Sequence, residues 1–498
     1  MAISTAIDAS AVARVLGVKT SYVDLRPSGA TLLPQRIAVL GQGGSATLYS
    51  TAKRQVTSAQ QAAELYGFGS PLHLAVSQLL PRTGGGVGTI PVTVYPLEAA
   101  ETAVAAAGDI TPSGTQTIAA SYRIKAGNIN SQYFVISPGD SVADITAAVT
   151  DAINGSMDMP VSATDNTTNV GVTAKWAGET GNDINIVIEG SSTAGVAFAV
   201  TQPTGGLVNP DVVPALEQMG SVWETLVLNC LNLSDSDALT AIETAGEGRW
   251  GSIQKKPFVS FVGTTETDLE ALKAITDQYA TYRNTAVLSA PASNDLPLMV
   301  AAAQLAKIAV IANNNPAHDY GLQQVPAITP GPDAQQWDYL QRDTAVKMGV
   351  STIEVLDNVA NISDVVTLYR PSGDPLPAYR YVVDIIKLQN FIFSLNLEFN
   401  TNEWAGAPLI PDDQPTSNRT ARKPKAARAA VAAIVDRQAL EAILSAPETA
   451  KQSIMAGINE SNPKRLDLSV TVQLSGNANI ISVDLNFGFY FGQAALAA

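Results

Sequence analysis

The stretch RIAVLGQGGSA, Arg36 to Ala46, runs from an apolar segment into closely spaced glycines, and Gly41, Gly43 and Ala46 satisfy the permissive G-x-G-x-x-G/A form. Glycines in that form let a backbone approach a pyrophosphate at a helix N-terminus. A dinucleotide fingerprint also needs its turn to lead straight into a helix of about ten residues or more within a strand-helix-strand unit. The following SATLYSTAKRQV supplies none, and the acidic residue expected about 20 positions onward falls at Glu64, inside the next helical segment. The stretch therefore reads as a strand and a plain loop. Other chemistry is equally scarce. Two histidines, His73 and His318, and one cysteine, Cys230, are too few for the common zinc constellations and leave no convincing Cys-His nucleophile pair. His73 lies in an apolar helical segment and reads as packed; His318 follows NNNPA and reads as exposed. Asp412 and Asp413 stand in a proline-rich loop, where solvated carboxylates are expected, because acid-base pairs need burial to separate their pKa values. With no Walker, G-x-S-x-G or H-E-x-x-H motif present, the expectation is no catalytic residue, no metal and no cofactor.

One charge cluster stands out. RTARKPKAAR places Arg419, Arg422, Lys423, Lys425 and Arg428 close together in a chain whose formal net charge is −15. The bland reading is a solvated helix start; the functional one is an electrostatic contact with an acidic partner, which sets register and encounter more than affinity. The acidic balance argues against general nucleic-acid or anionic-membrane binding, and no aromatic residue interleaves the cluster. Charged residues make up 15% of the chain, against roughly 25% in average soluble proteins. A surface so weakly charged suits a protein that buries area against copies of itself or partners.

The elements that would position these residues can be read from periodicity. At 498 residues the chain is too long for one typical domain. Residues 1–25 look extended, with Val15, Val18, Tyr22 and Val23 as a candidate arm. Residues 26–98 hold a buried strand from Arg36 to Leu40, a helix capped by Ser58, a second helix in GFGSPLHLAVSQLL and a strand in GTIPVTVYPL. From 99 to 206 the texture turns to Thr, Ser, Gly and Asn with short alternating runs, an inserted mainly β module with one helix near Val142 to Asn154. Residues 207–415 alternate strands (TLVLN, PFVSFVG, NTAVLSA) with helices, an α/β pattern. Leu296 to Ala312 reads as a buried helix, STIEVLDN and DVVTLYR as paired strands, and Tyr379 to Phe399 as a long apolar helix or helix pair. Residues 416–498 give a basic helix from about Lys425 to Leu444, a short helix near Glu448, and a β tail in which Gly476-Asn477 suggests a hairpin or a short excursion between strands. The start of the chain lacks the basic and apolar regions of a secretory signal, and the lone Cys230 suits a reducing cytoplasm.

Several phrases, in this order and spacing, make the sequence resemble the tail sheath proteins of Mu-like contractile phages. ARVLGVKTSYVDL resembles the family's opening into an extended arm, with Leu16 where the family has proline. QRIAVLGQ and then VTSAQQAAELYGFGSPLHLAV resemble the first strand and its serine-capped helix, with Tyr66 in place of a phenylalanine. WAGETGNDINIVI resembles the end of the inserted module, and INESNPKRLDLSVTVQL the Asn-Pro-x-Arg turn and closing strands.

The resemblance implies an α/β and α+β multidomain sheath core with an inserted mainly β domain on the outside and extended N- and C-terminal arms. It implies a structural subunit, not an enzyme, that forms stacked hexameric rings around the tail tube and contracts to drive the tube through the host envelope. Its partners would be further copies of itself, the tube protein, and baseplate and tail terminator proteins, with no nucleic acid and no direct membrane insertion. It would reside in the virion tail after assembly in the bacterial cytoplasm. Val18, Tyr22 and Val23 would then lie in the N-terminal arm, and Val483, Leu485, Phe487 and Phe489 in a C-terminal strand that pairs with a neighbour. Arg422, Lys423, Lys425 and Arg428 would face the tube. A capsid-less contractile injection particle would give the same reading, and an α/β nucleotide-binding enzyme is the alternative of another class.

Overall fold

The computed structural model describes residues 31–190, 195–372, 378–485 and 487. The chain forms two compact units. The larger holds Leu32–Asn396 together with the described residues from Leu474 onward, and the smaller holds Thr31 and Leu397–Gln473.

The larger unit is built on an eight-stranded sheet in which Ile37–Gln42 is an interior strand. On one side this strand pairs in parallel with Val92–Leu97, and on the other with Leu226–Asn229, in the register Ile37 to Leu226 and Leu40 to Asn229. Val259–Thr264, Thr285–Ser289 and Val350–Leu356 extend the parallel set. Antiparallel Arg54–Val56 and Val359–Asp364 close the two edges. Each residue of Ile37–Gln42 and of Val259–Thr264 is buried, as expected of parallel strands covered on both faces. Helices Pro71–Leu79 and Pro297–Asn314 provide part of that cover. Gly263 shows how close the cover lies, since a Cβ there would stand 1.7 Å from the carbonyl oxygen of Pro297. Helix Pro297–Asn314 is long and apolar enough to span a bilayer by composition, yet most of it is buried in this core.

The mainly β module leaves this sheet after Leu97 and returns before Leu226. Val104 and Leu207 exchange both backbone hydrogen bonds, at 3.0 and 3.1 Å, so the chain enters and leaves side by side. The module contains two four-stranded sheets and the helix Val142–Asn154, whose N-terminus carries a full Ser141/Asp144 capping box. Trp176, fully buried, donates from Nε1 to Thr180 Oγ1 at 2.7 Å and so meets the need of an enclosed indole for an acceptor.

Two expected pairings are corrected. STIEVLDN pairs with Val359–Asp364 and not with DVVTLYR. Asp357 and Asn358, with φ of 51° and 62°, make the two-residue connection, and both residues tolerate the left-handed region that such a turn requires. The expected hairpin at Gly476-Asn477 is also not formed: residues 475–485 carry no strand, and Ser475 and Asn477 are instead held by the Lys387 side chain of the body.

Where module and body meet, Asp183 accepts a hydrogen bond from Asn232. Burial raises its carboxyl pKa to about 7; the Asn232 bond opposes this and nearby Glu179 adds to it. A carboxyl whose folded pKa is raised contributes stability that is fully present below its unfolded value, about 3.9, and is lost as pH rises through about 7. Melting temperature measured from pH 4 to 8 should therefore carry a declining component in the wild type. Asp183→Asn, which keeps an acceptor for Asn232, should flatten that component.

Candidate functional site

The phosphate reading of the glycine loop fails on geometry. The Gly44 amide donates to the Tyr66 carbonyl at 2.8 Å and the Ser45 amide to the Lys175 carbonyl at 2.8 Å, so these donors face protein rather than a ligand. Gly43 is needed for packing, since a Cβ there would meet the Tyr49 ring at 2.5 Å. His73 is buried, with Nδ1 accepting from the Gly69 amide at 3.0 Å, and burial pushes its pKa down; it serves as a packed neutral imidazole. His318 is exposed. Cys230 is buried beside Gly41, and desolvation pushes its thiol pKa up, the opposite of an activated nucleophile. Among the described residues no group of three or more His, Cys, Asp or Glu is arranged to hold a metal ion.

The basic cluster belongs to the smaller unit, at the start of helix Pro424–Leu440. Pro424 occupies the first turn, where a missing N–H costs nothing. The N-cap residue Lys423 has no side-chain acceptor to offer, and Asp412 supplies one from the preceding loop. Its Oδ1 accepts from the Lys425 amide at 2.8 Å, and its Oδ2 accepts from Arg428 Nη2 at 2.7 Å. The backbone donor at Lys425, then Arg428, holds the Asp412 carboxyl below the usual carboxylate range. Asp412, expected to be merely solvated, is thus the external cap of this helix.

The cations of the cluster differ in how far they are engaged. Arg422 pairs with Glu403 at 3.0 Å, donates from Nε to the Glu403 carbonyl, and lies over the Trp404 ring at 5.8 Å. Lys423 donates to the carbonyls of Asp412 and Gln414. Arg428 also reaches the Ala456 carbonyl at 3.2 Å. Lys425 is exposed. Side by side in sequence, Arg422, Lys423 and Arg428 are folded into the unit's own hydrogen bonding, and Lys425 projects from it.

The C-terminal segment is the other candidate surface. Val18, Tyr22, Val23 and Phe489 lie outside the described residues. Val483, Leu485 and Phe487 are 77%, 75% and 86% exposed, and with Ile481 at 80% they alternate with Ser482 and Asp484. Side chains of an extended chain alternate between two faces, and among the described residues no strand pairs with this run. The run begins at a fixed place. Lys387, within helix Val382–Phe399, is fully buried and donates from Nζ to the Ser475 carbonyl and to Asn477 Oδ1, each at 2.6 Å. Sequence reasoning missed Lys387; the available signal was a lone lysine in the apolar run YVVDIIKLQNFIF.

No protein-family model matches the chain. By sequence it is similar to a tail sheath protein of the Mu-like class. The particular relative is the Mu-like prophage FluMu tail sheath protein of Haemophilus influenzae, 26% identical over 351 residues, which cover 68% of this chain and 69% of that protein. Among solved structures, a sheath tail protein from Desulfitobacterium hafniense aligns over 91% of this chain and 100% of its own, at 11% identity and a TM-score of 0.45. One from Listeria innocua aligns over 91% and 93%, at 10% identity and a TM-score of 0.48.

Replacing the Asp412 cap should cost the smaller unit stability. Asp412→Ala is expected to lower the unfolding midpoint of the smaller unit, because it leaves the Lys425 amide without its acceptor, measured by denaturant unfolding of the full chain. Asp413→Ala, a change at an exposed neighbour, should have almost no effect.

Proposed function

We propose that this chain is the structural subunit of a contractile tail sheath, assembling as stacked hexameric rings around a tail tube and shortening to drive that tube through a target envelope. The sequence relationship to a tail sheath protein over two thirds of both chains carries the reading. The bare apolar run from Ile481 to Phe487 supports its mechanical part. Such a run finds ladder partners at the sheet edge of a neighbouring copy, and strand addition supplies main-chain hydrogen bonds without a ligand site. Burying its side chains contributes roughly 1.5–3 kcal/mol for each Val, Leu, Ile or Phe, before the cost of ordering the segment.

Val18, Tyr22 and Val23 are assigned to a second arm, and Phe489 is assigned to the first. Contacts that join one copy to the next through different surfaces propagate into a helical stack, which fits rings connected along a tail. Contraction in this reading exchanges one packing of the bodies for another while the arms keep the copies linked, and requires no nucleotide. The Lys425 side of the basic helix is assigned to the tube, with Arg422, Lys423 and Arg428 holding that face in shape. Baseplate and terminator proteins would bound the stack, and assembly would take place in the bacterial cytoplasm. The inserted module would lie on the outside.

Electron microscopy of the purified protein at rising concentration, alone and with its tube protein, tests the reading. Six-fold rings or striated tubes are expected; a protein that stays monomeric under both conditions would refute it. Removal of residues 480–498, or the double change Val483→Lys and Leu485→Lys, should abolish tubes and leave the melting temperature of the body unchanged. Lys425→Glu should weaken capture of the tube and spare self-assembly, and unchanged tube binding would overturn the assignment of that face.

A further inference from the structure

Helix Val382–Phe399 buries three polar side chains completely, Lys387, Gln389 and Asn390. Buried polar groups are costly unless each finds partners, so the partners of these three show what the helix is built to hold. Gln389 donates to the Pro257 carbonyl at 3.2 Å, within the body. The other two hold Leu33 and the segment Ser475 to Asn477.

Lys387 is the more demanding. A lysine is almost never fully buried without a partner, and an ammonium has three hydrogens to place. Two go to the Ser475 carbonyl and Asn477 Oδ1, both on the segment that leads to the C-terminal apolar run; the third faces Asp384 Oδ1 at 3.4 Å, one turn back on the same helix. Asn477 completes the clasp by donating from Nδ2 to the Ala317 carbonyl at 2.9 Å, just past the end of helix Pro297–Asn314. Asn479 then turns back, its amide donating to the Asn477 carbonyl at 3.0 Å, and the exposed run starts at Ile480.

Asn390 lies three residues after Lys387, on the same side of the helix. Its Oδ1 accepts from the Leu33 amide at 2.8 Å, and its Nδ2 donates to the Ile386 carbonyl at 2.9 Å. Gln35 is held next to it, its amide donating to Asn313 Oδ1 at 3.1 Å. The N-terminal lead and the root of the C-terminal segment are therefore bonded to the same two elements, helix Val382–Phe399 and the end of helix Pro297–Asn314.

We propose that Lys387 and Asn390 form a double anchor that fixes the points from which both terminal arms leave the body, with Lys387 as the positioning residue of the C-terminal arm. Calling these segments arms rests on the sheath reading; the anchor itself does not. The Lys387 ammonium enforces the docking, because lifting residues 475–477 away would leave a buried cation with Asp384 alone, a far costlier state than a lost neutral hydrogen bond. A pull on an arm is then delivered to a rigid buried helix and does not unravel the chain beyond Asn477. Both arms sharing one helix also keeps their exit points at a constant separation as the bodies move.

Amide hydrogen exchange on the full chain, kept dilute so that it does not assemble, reads the anchor independently of the sheath reading. Lys387→Met replaces the ammonium by an apolar side chain of similar length, and Asn477→Ala, on the tail, spares the body core. Each should speed exchange at Asn479 at least tenfold with core protection unchanged. The Lys387→Met/Asn477→Ala double variant should be no faster than the faster single, since both remove one clasp. Asn390→Ala should speed exchange at Leu33 and leave Asn479 alone. Unchanged exchange at Asn479 in both single variants, or a double variant in which the two increments add, would overturn the anchor. Electron microscopy of the same variants at assembling concentration should then show irregular or missing tubes. Wild-type protein that never forms tubes would count against the sheath reading alone, and normal tubes from a variant with proven loosening at Asn479 would overturn the positioning role.

Discussion

The larger unit depends on one long-range pairing, that of Ile37–Gln42 with Leu226–Asn229. Two strands far apart in sequence become parallel neighbours in the interior of the sheet. The chain between them supplies both strands on the far side of Ile37–Gln42 and then the β module, which it enters and leaves at one place, where Val104 and Leu207 run back to back. Loop-closure entropy grows only slowly with the length of the excursion, so the size of the module is set by what it does and not by what the sheet tolerates. The parallel strands need cover on both faces, and the helices that provide it become the rigid frame to which other parts of the chain are tied.

Those ties are polar and buried. A purely apolar helix at Val382–Phe399 would pack as well or better, and would hold nothing in particular. Lys387 and Asn390 give direction instead, because an unmatched ammonium or amide in a low-dielectric interior accepts few alternatives. The smaller unit uses the same device at its surface, where Asp412 caps helix Pro424–Leu440 from a neighbouring loop and draws in Arg428. A cluster that looks in sequence like free positive charge is thereby mostly engaged in holding its own helix start, with Lys425 left outward.

Much of this architecture was legible beforehand where the signal is local. The Ser58 cap, the helix in GFGSPLHLAVSQLL, the helix from Val142 to Asn154 and the buried strands announce themselves through short-range hydrogen bonding and burial period. The Gly-x-Gly loop could be set aside from sequence alone, since no helix followed it, and the structure supplies the positive reason in the engaged amides of Gly44 and Ser45. The partner of STIEVLDN was misread because Asp357-Asn358 was passed over as a turn, although both residue types favour the required conformation. The tail was read as paired because its residues alternate, and alternation reports a face to be buried without saying whose surface buries it.

By itself, then, the sequence determined the classes of element, the low charge and the alternating apolar run of the tail, and the absence of catalytic motifs, because each follows from residue type and spacing within a few turns or strands. The tertiary structure alone decided that a lysine in an apolar helix clasps a carbonyl and an amide roughly 90 residues away, that a loop aspartate caps the helix after it, and that Leu33 and Asn477 are held by one helix. Such contacts join residues with no common period or neighbourhood in the chain. They exist only once burial has removed water as the competing partner.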